Sequence, residues 1–126
     1  MSILLKASFV YFGIEEETIV IGFADDEFDP KNYVLLQKSL FIEDIAMLNK
    51  VHITLNSENR AAYGGIVRII LSQKLISIIL AKETASLLGV GDAIEIEYTL
   101  DEKNFNSFIS HFHKLNVEEE MVIEVQ

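Results

Sequence analysis

IVRIILSQKLISIIL, residues Ile66 to Leu80, is the stretch that decides the fold class: two apolar runs, Ile66 to Leu71 and Leu75 to Leu80, parted by Ser72, Gln73 and Lys74. Branched isoleucines pack well on a pleated surface, and three polar residues suffice for a turn. The two runs are therefore expected to be neighbouring antiparallel strands. Their nearly unbroken apolarity predicts burial on both faces.

The same chemistry continues on either side. Upstream, Val51, Ile53 and Leu55 alternate with His52, Thr54 and Asn56, the period-two pattern of a strand with one wet face, and Asn56 to Ala62 reads as a loop by composition. Earlier still, Ile3 to Phe12 is strand-like and ends at Gly13; the acidic run Glu15, Glu16, Glu17 then forms a charged turn into Thr18 to Ala24, which suggests a hairpin. A polar stretch, Asp25 to Asn32, precedes Tyr33 to Leu40, which fits either a strand or a short helix. Downstream, Lys82 to Leu88 is a short helix candidate with Gly89 at its C-cap, and Ile94, Ile96 and Tyr98 alternate with Glu95 and Glu97. Asp101 is placed to cap a helix over residues 101–115, in which Phe105, Phe108, Ile109 and Phe112 recur at i, i+3, i+4, i+7. Met121, Ile123 and Val125 close the chain as an edge strand. The sum is an α+β, mostly β domain spanning residues 1–126: an antiparallel sheet of about seven strands, the longer helix packed on it, and a short helix at 82–88.

Half of the 126 residues are hydrophobic, including eight Phe and four Tyr, so a core can form without disulfides or metal. There is no cysteine, which removes thiol nucleophiles and disulfide frameworks together. Twenty acids against ten bases give a net charge of −10, and the excess is even, with ten acids and five bases in residues 1–60 and again in 61–126. Such a field aids solubility, repels nucleic acid and anionic membranes, and favours a cationic partner. The apolar start, Met1 to Tyr11, carries its one charge, Lys6, inside the run and lacks a cleavage site, and no run nears the ~20 residues of a membrane span. A cytoplasmic protein is expected.

Chemistry is sparse. A nucleophile elbow, G-x-S-x-G, is absent. His111 and His113, two apart on a helix, point about 200° from one another and cannot share a metal, and His52 stands alone on a strand. Gly64 and Gly65 are followed by Ile66, Val67 and Arg68, which is no phosphate loop; paired glycines before a buried strand mark a structural turn, with positive φ or a close backbone approach. The densest polar feature is Asp25-Asp26-Glu27-Phe28-Asp29-Pro30. It lacks the glycine of a calcium loop, and its solvated carboxylates have no burial to tune them for acid–base work. The bland reading is a solvated turn stiffened by Pro30. The functional one is a partner-binding edge made of Asp25, Asp26, Glu27, Phe28 and Asp29, with Phe28 as the apolar anchor. No catalytic group, metal or cofactor is expected.

Several of these segments together resemble the immunity protein 10 family of bacterial polymorphic toxin systems: Phe23 to Pro30 (FADDEFDP), Tyr33 to Gln37 (YVLLQ), Tyr63 to Ile66 (YGGI), and Ala85 to Gly89 leading into Ile94 to Tyr98 (IEIEY). The pieces occur in the family's order over residues 20–115. The resemblance implies a small, mostly β, non-catalytic protein that binds a cognate protein toxin in the cytoplasm and neutralises it. Many such toxins act on nucleic acids through basic clefts, which an acidic inhibitor finds quickly. A reading from the residues alone stays open beside it: a regulatory or self-associating domain, a homo-oligomer paired through the edge strand Met121 to Val125.

Overall fold

In the computed structural model, which describes residues 2–41, 49–116 and 121–126, ten strands and two helices form. In chain order they are β1 (Ser2–Lys6), β2 (Phe9–Glu15), β3 (Thr18–Ala24), β4 (Tyr33–Ser39), β5 (His52–Leu55), β6 (Ser57–Tyr63), β7 (Ile66–Leu71), β8 (Leu75–Leu80), α1 (Lys82–Leu88), β9 (Ala93–Glu97), α2 (Glu102–Leu115) and β10 (Val122–Val125). The fold class is α+β with strands dominant and one longer helix of 14 residues. The strands are divided between two five-stranded sheets. One is the antiparallel meander β2-β3-β4-β5-β6; the other has the order β1-β9-β8-β7-β10. In the second sheet the hairpin β7–β8 and strand β9 run antiparallel, while β1 joins β9 and β10 joins β7 in parallel, so the first and last strands of the chain form its two edges.

Two local features depart from the expected single sheet. The run Ile3 to Phe12, expected as one strand, is cut between Ala7 and Ser8: the Ala7 N–H donates to Glu97 O (2.8 Å) in one sheet and the Ser8 N–H donates to Ala24 O (3.0 Å) in the other. The chain changes sheets in one peptide. Most of Asn56 to Ala62, expected as loop, belongs to the edge strand β6. Asn56 turns the chain with φ 64, and a bulge between Thr54 and Leu55 restores pairing so that Thr54, Ile53 and His52 face Ala61, Ala62 and Tyr63. Polar and small side chains are tolerated there because an edge strand needs only one buried face. Residues 33–39, compatible by sequence with strand or helix, form β4.

One core cluster joins both sheets and both helices. The meander contributes Ile19, Ile21 and Leu36, and the other sheet contributes Ile69, Ile78 and Ile96, all without exposed surface. The β7–β8 pair is buried on this inner face only: Val67 points outward at 49% exposure, and Ile70 and Ile79 are half-buried. The expected burial on both faces is thus corrected. The branched residues of the outer side serve strand preference instead of a second core.

Helix α2 carries its apolar stripe into this core. Asp101 Oδ1 accepts from the Asn104 N–H (2.7 Å) at the N-cap, and Phe105, Phe108, Phe112 and Leu115 are buried. The Phe108 ring lies 5.5 Å from Phe12, 5.8 Å from Phe23, 5.5 Å from Tyr98 and 4.9 Å from Phe112, each near edge-on, the arrangement that aromatic quadrupoles favour. At the other end of α2, buried Lys38 of β4 donates from Nζ to Leu115 O (3.1 Å). Helix α1 ends at Gly89, which has φ 71, as a left-handed C-cap requires.

Candidate functional site

Residues 25–32 connect β3 to β4, and two carboxylates build the connection. Asp25 Oδ1 accepts from the Lys31 N–H (3.0 Å), and Oδ2 accepts from the Asn32 N–H (3.2 Å) and from Asn32 Nδ2 (3.1 Å). The Asn32 side chain and then its backbone amide hold the Asp25 carboxyl below the usual carboxylate range, because each hydrogen bond favours the ionised form. Asp26 closes an inner turn, with Oδ1 accepting from the N–H groups of Phe28 (2.9 Å) and Asp29 (3.1 Å). Asp25 O also accepts from Ser8 Oγ (2.6 Å), and Asn32 Oδ1 from Asn56 Nδ2 (3.2 Å), so the loop is tied to the sheet crossing and to the β5–β6 turn.

The five residues singled out from the sequence are therefore contiguous but not equivalent. Asp25 is a strut of the loop, and Asp26 is exposed with one oxygen committed to the inner turn. Glu27, Phe28 and Asp29 face solvent, Phe28 with 89% of its surface exposed. A large apolar ring held outward on a fixed backbone, between carboxylates, can insert into a partner without first ordering its loop. Beside it lies a feature that composition did not disclose: an open groove of about 280 Å³ on the outer side of the meander, lined by Phe9, Tyr11, Gly22, Tyr33 and Leu35 and closed at one end by Asp26, Glu27 and Pro30. Its signal in the sequence is parity. Tyr11 and Leu35 fall on the opposite phase from the buried Ile21 and Leu36.

Gly64 and Gly65 lie away from this loop, at the other end of β5, where the chain passes from β6 to β7. Their φ values are 77 and 87. Thr84 of α1 fills the space above them: its hydroxyl donates to Gly64 O (3.3 Å), and a Cβ on Gly65 would stand 1.7 Å from Thr84 Oγ1.

The histidines are dispersed. The His52 ring lies 4.6 Å from that of Tyr63, and His111 lies 5.1 Å from Phe12 with Nδ1 2.7 Å from Ser107 O. Among the described residues no three His, Asp or Glu side chains are grouped to hold a metal ion, and no helix is long and apolar enough to cross a membrane.

Comparison with curated proteins gives no match. A family model, that of immunity protein 10, matches residues 6–106, a span that holds the acidic loop, the groove, the glycine pair and the first turn of α2. With most of its length matched, the chain belongs to the immunity protein 10 family, whose members are immunity proteins of polymorphic toxin systems and typically non-catalytic.

Proposed function

We propose that this immunity protein binds a cognate protein toxin in the cytoplasm and neutralises it by occlusion, with the β3–β4 loop as a contact edge. The observation that carries the contact is Phe28, exposed on a loop whose backbone Asp25 and Asp26 already fix. Glu27 and Asp29 flank it as the charges that meet a basic surface, Asp26 adds its outer oxygen, and Asp25 contributes by holding the loop. A preformed anchor between carboxylates suits a partner with an apolar pocket rimmed by Lys or Arg.

The division of labour decides how the edge is tested. Substituting Asp25 would disturb the loop and confuse contact with folding, so the informative variants are Phe28→Ala and the pair Glu27→Lys with Asp29→Lys. Titration calorimetry against the cognate toxin, in an inactive variant, should show each weakening binding at least about tenfold, the size of a hot-spot loss. Affinities within twofold of the unsubstituted chain would remove the loop from the contact. Failure of the unsubstituted chain to bind or to protect cells would remove the inhibitor role itself.

A second reading, pairing of two copies by strand addition, has one observation in its favour: β10 is an edge strand, with Val122 and Val125 53% and 48% exposed. It requires a dimer in sedimentation at micromolar concentration.

A further inference from the structure

The outer faces of the two sheets differ in chemistry. Across β1-β9-β8-β7-β10 one outward row reads Leu4, Glu95, Ser77, Ile70, Glu124, and Arg68 in the next row pairs with Glu124. That face mixes these charges with apolar side chains, Leu4, Val67 and Val122 being 56%, 49% and 53% exposed. Across β2-β3-β4-β5-β6 the matching row reads Tyr11, Gly22, Leu35, Thr54, Ala61; the rows beside it place Phe9 with Tyr33 on one side and His52 with Tyr63 on the other. These three rows hold no Asp, Glu, Lys or Arg, in a chain of which 24% is such residues.

Three of the four tyrosines stand on this face, and Tyr11 and Tyr63 are 36% and 40% exposed. The fourth, Tyr98, is in the core with its hydroxyl on Ser72 O (2.5 Å). Among the described residues the helices meet this sheet from its inner side, through Phe12, Phe23 and Arg60. Tyrosine gives large contact area for little lost rotamer freedom and is enriched where proteins meet, whereas charge is depleted at interface centres.

Size and charge then specify the occupant. Five strands about 4.8 Å apart and three rows deep give a patch of roughly 400 Å², half of the ~800 Å² that a stable partner buries on each side. A stable contact must therefore run past the patch onto the ends of β3. Both ends are acidic: Asp26, Glu27 and Asp29 beyond Ala24, and Glu15, Glu16 and Glu17 before Thr18, against one exposed lysine near each end, Lys31 and Lys50. Seven residues of strand set those ends about 20 Å apart.

We infer that the outer face of β2-β3-β4-β5-β6 is the toxin-docking surface, and that its occupant is a basic protein presenting an apolar patch between two cationic clusters about 20 Å apart. This rests on the toxin-binding reading and extends it from one loop to a face with two acidic ends. The groove at Gly22 receives the partner's apolar side chain against Tyr11 and Tyr33, and Tyr63 extends the contact at the β6 edge.

The test uses the full chain with an inactive variant of its cognate toxin. Tyr11→Ala and Tyr63→Ala should each weaken binding about tenfold or more, while Leu4→Ala, on the charged sheet's outer face, stays within twofold. Hydrogen exchange of the unsubstituted complex should show protection on β2 to β6 and little change on β9 and β8, which decides the matter even if a tyrosine variant folds poorly. Unmoved affinities in both folded tyrosine variants, or protection on the charged sheet, would overturn the face while leaving the toxin reading intact. Protection of this face in a toxin-free dimer would give it to a second copy and also overturn the inference. An unsubstituted chain that does not bind the toxin fails the toxin reading itself, and the inference with it.

Discussion

At Gly65 two demands meet that no other residue satisfies: φ is 87, and Thr84 occupies the place where a Cβ would stand. An alanine in the left-handed region costs about 1–2 kcal/mol, and forced overlap in a packed site about 1–3 kcal/mol, so Gly65→Ala should lower unfolding stability by about 2–5 kcal/mol in urea titration. Adding Thr84→Ala should return only part of that, because the Thr84 Cβ is itself 2.6 Å from the added atom. Full recovery in the double variant would show that overlap alone was responsible; no loss in the single variant would show that the turn relaxes freely. That glycines stand before a buried strand was legible in the sequence, but Thr84, nineteen positions on, was not. Asp25 and Asp26 teach the same lesson. The acidic cluster was visible from composition, yet which carboxylate turns back into the loop depends on Asn32 seven residues later, so structural and contact acids looked alike.

Elements were legible where periodicity is strong. The bounds of α1 and α2, the cap at Asp101, the β7–β8 turn and the edge position of β10 all follow from patterns of a few residues. What failed were sheet assignments, since nothing in Ala7-Ser8 marks a change of sheet and the polar Ser57, Asn59 and Arg60 disguise an edge strand. Lys38 lay between these cases. It falls on the buried phase set by Val34 and Leu36, an anomaly that signals a polar partner within reach. One partner is the carboxyl end of α2, where the final carbonyls have no intrahelical donor and a cation is favoured. Lys38→Met keeps the length and removes the donor. It should cost about 1–3 kcal/mol and accelerate amide exchange in the last turn of α2 more than in the first. Equal exchange at both ends of the helix would show that Lys38 does not hold that terminus.

For the whole molecule, charge and contact can be separated by kinetics. The net charge of −10 is shared evenly between the two halves of the sequence, so the field that would steer the proposed basic partner is not confined to one half, whereas the proposed contacts lie on one face. Steering acts before the surfaces touch and depends on total charge and its screening; contacts that form on docking act on dissociation. Two double variants change the charge by the same amount at different places: Glu27→Gln with Asp29→Gln at the proposed contact edge, and Glu97→Gln with Glu102→Gln in β9 and the first turn of α2, away from the proposed face. Both should slow association by about two- to fivefold at low salt and converge with the unsubstituted chain above about 0.5 M salt, where the Debye length falls below 5 Å. Only the first pair should speed dissociation, and it should do so at every salt concentration, because a lost contact is not restored by screening. Stopped-flow and surface-based dissociation measurements on the same toxin read the two rates separately. If the distal pair sped dissociation as much as the loop pair, the acids near the end of β9 and the start of α2 would lie in the interface and the docking face would have to be moved there; if neither pair slowed association, the charge of this chain would serve solubility and not the search for its partner.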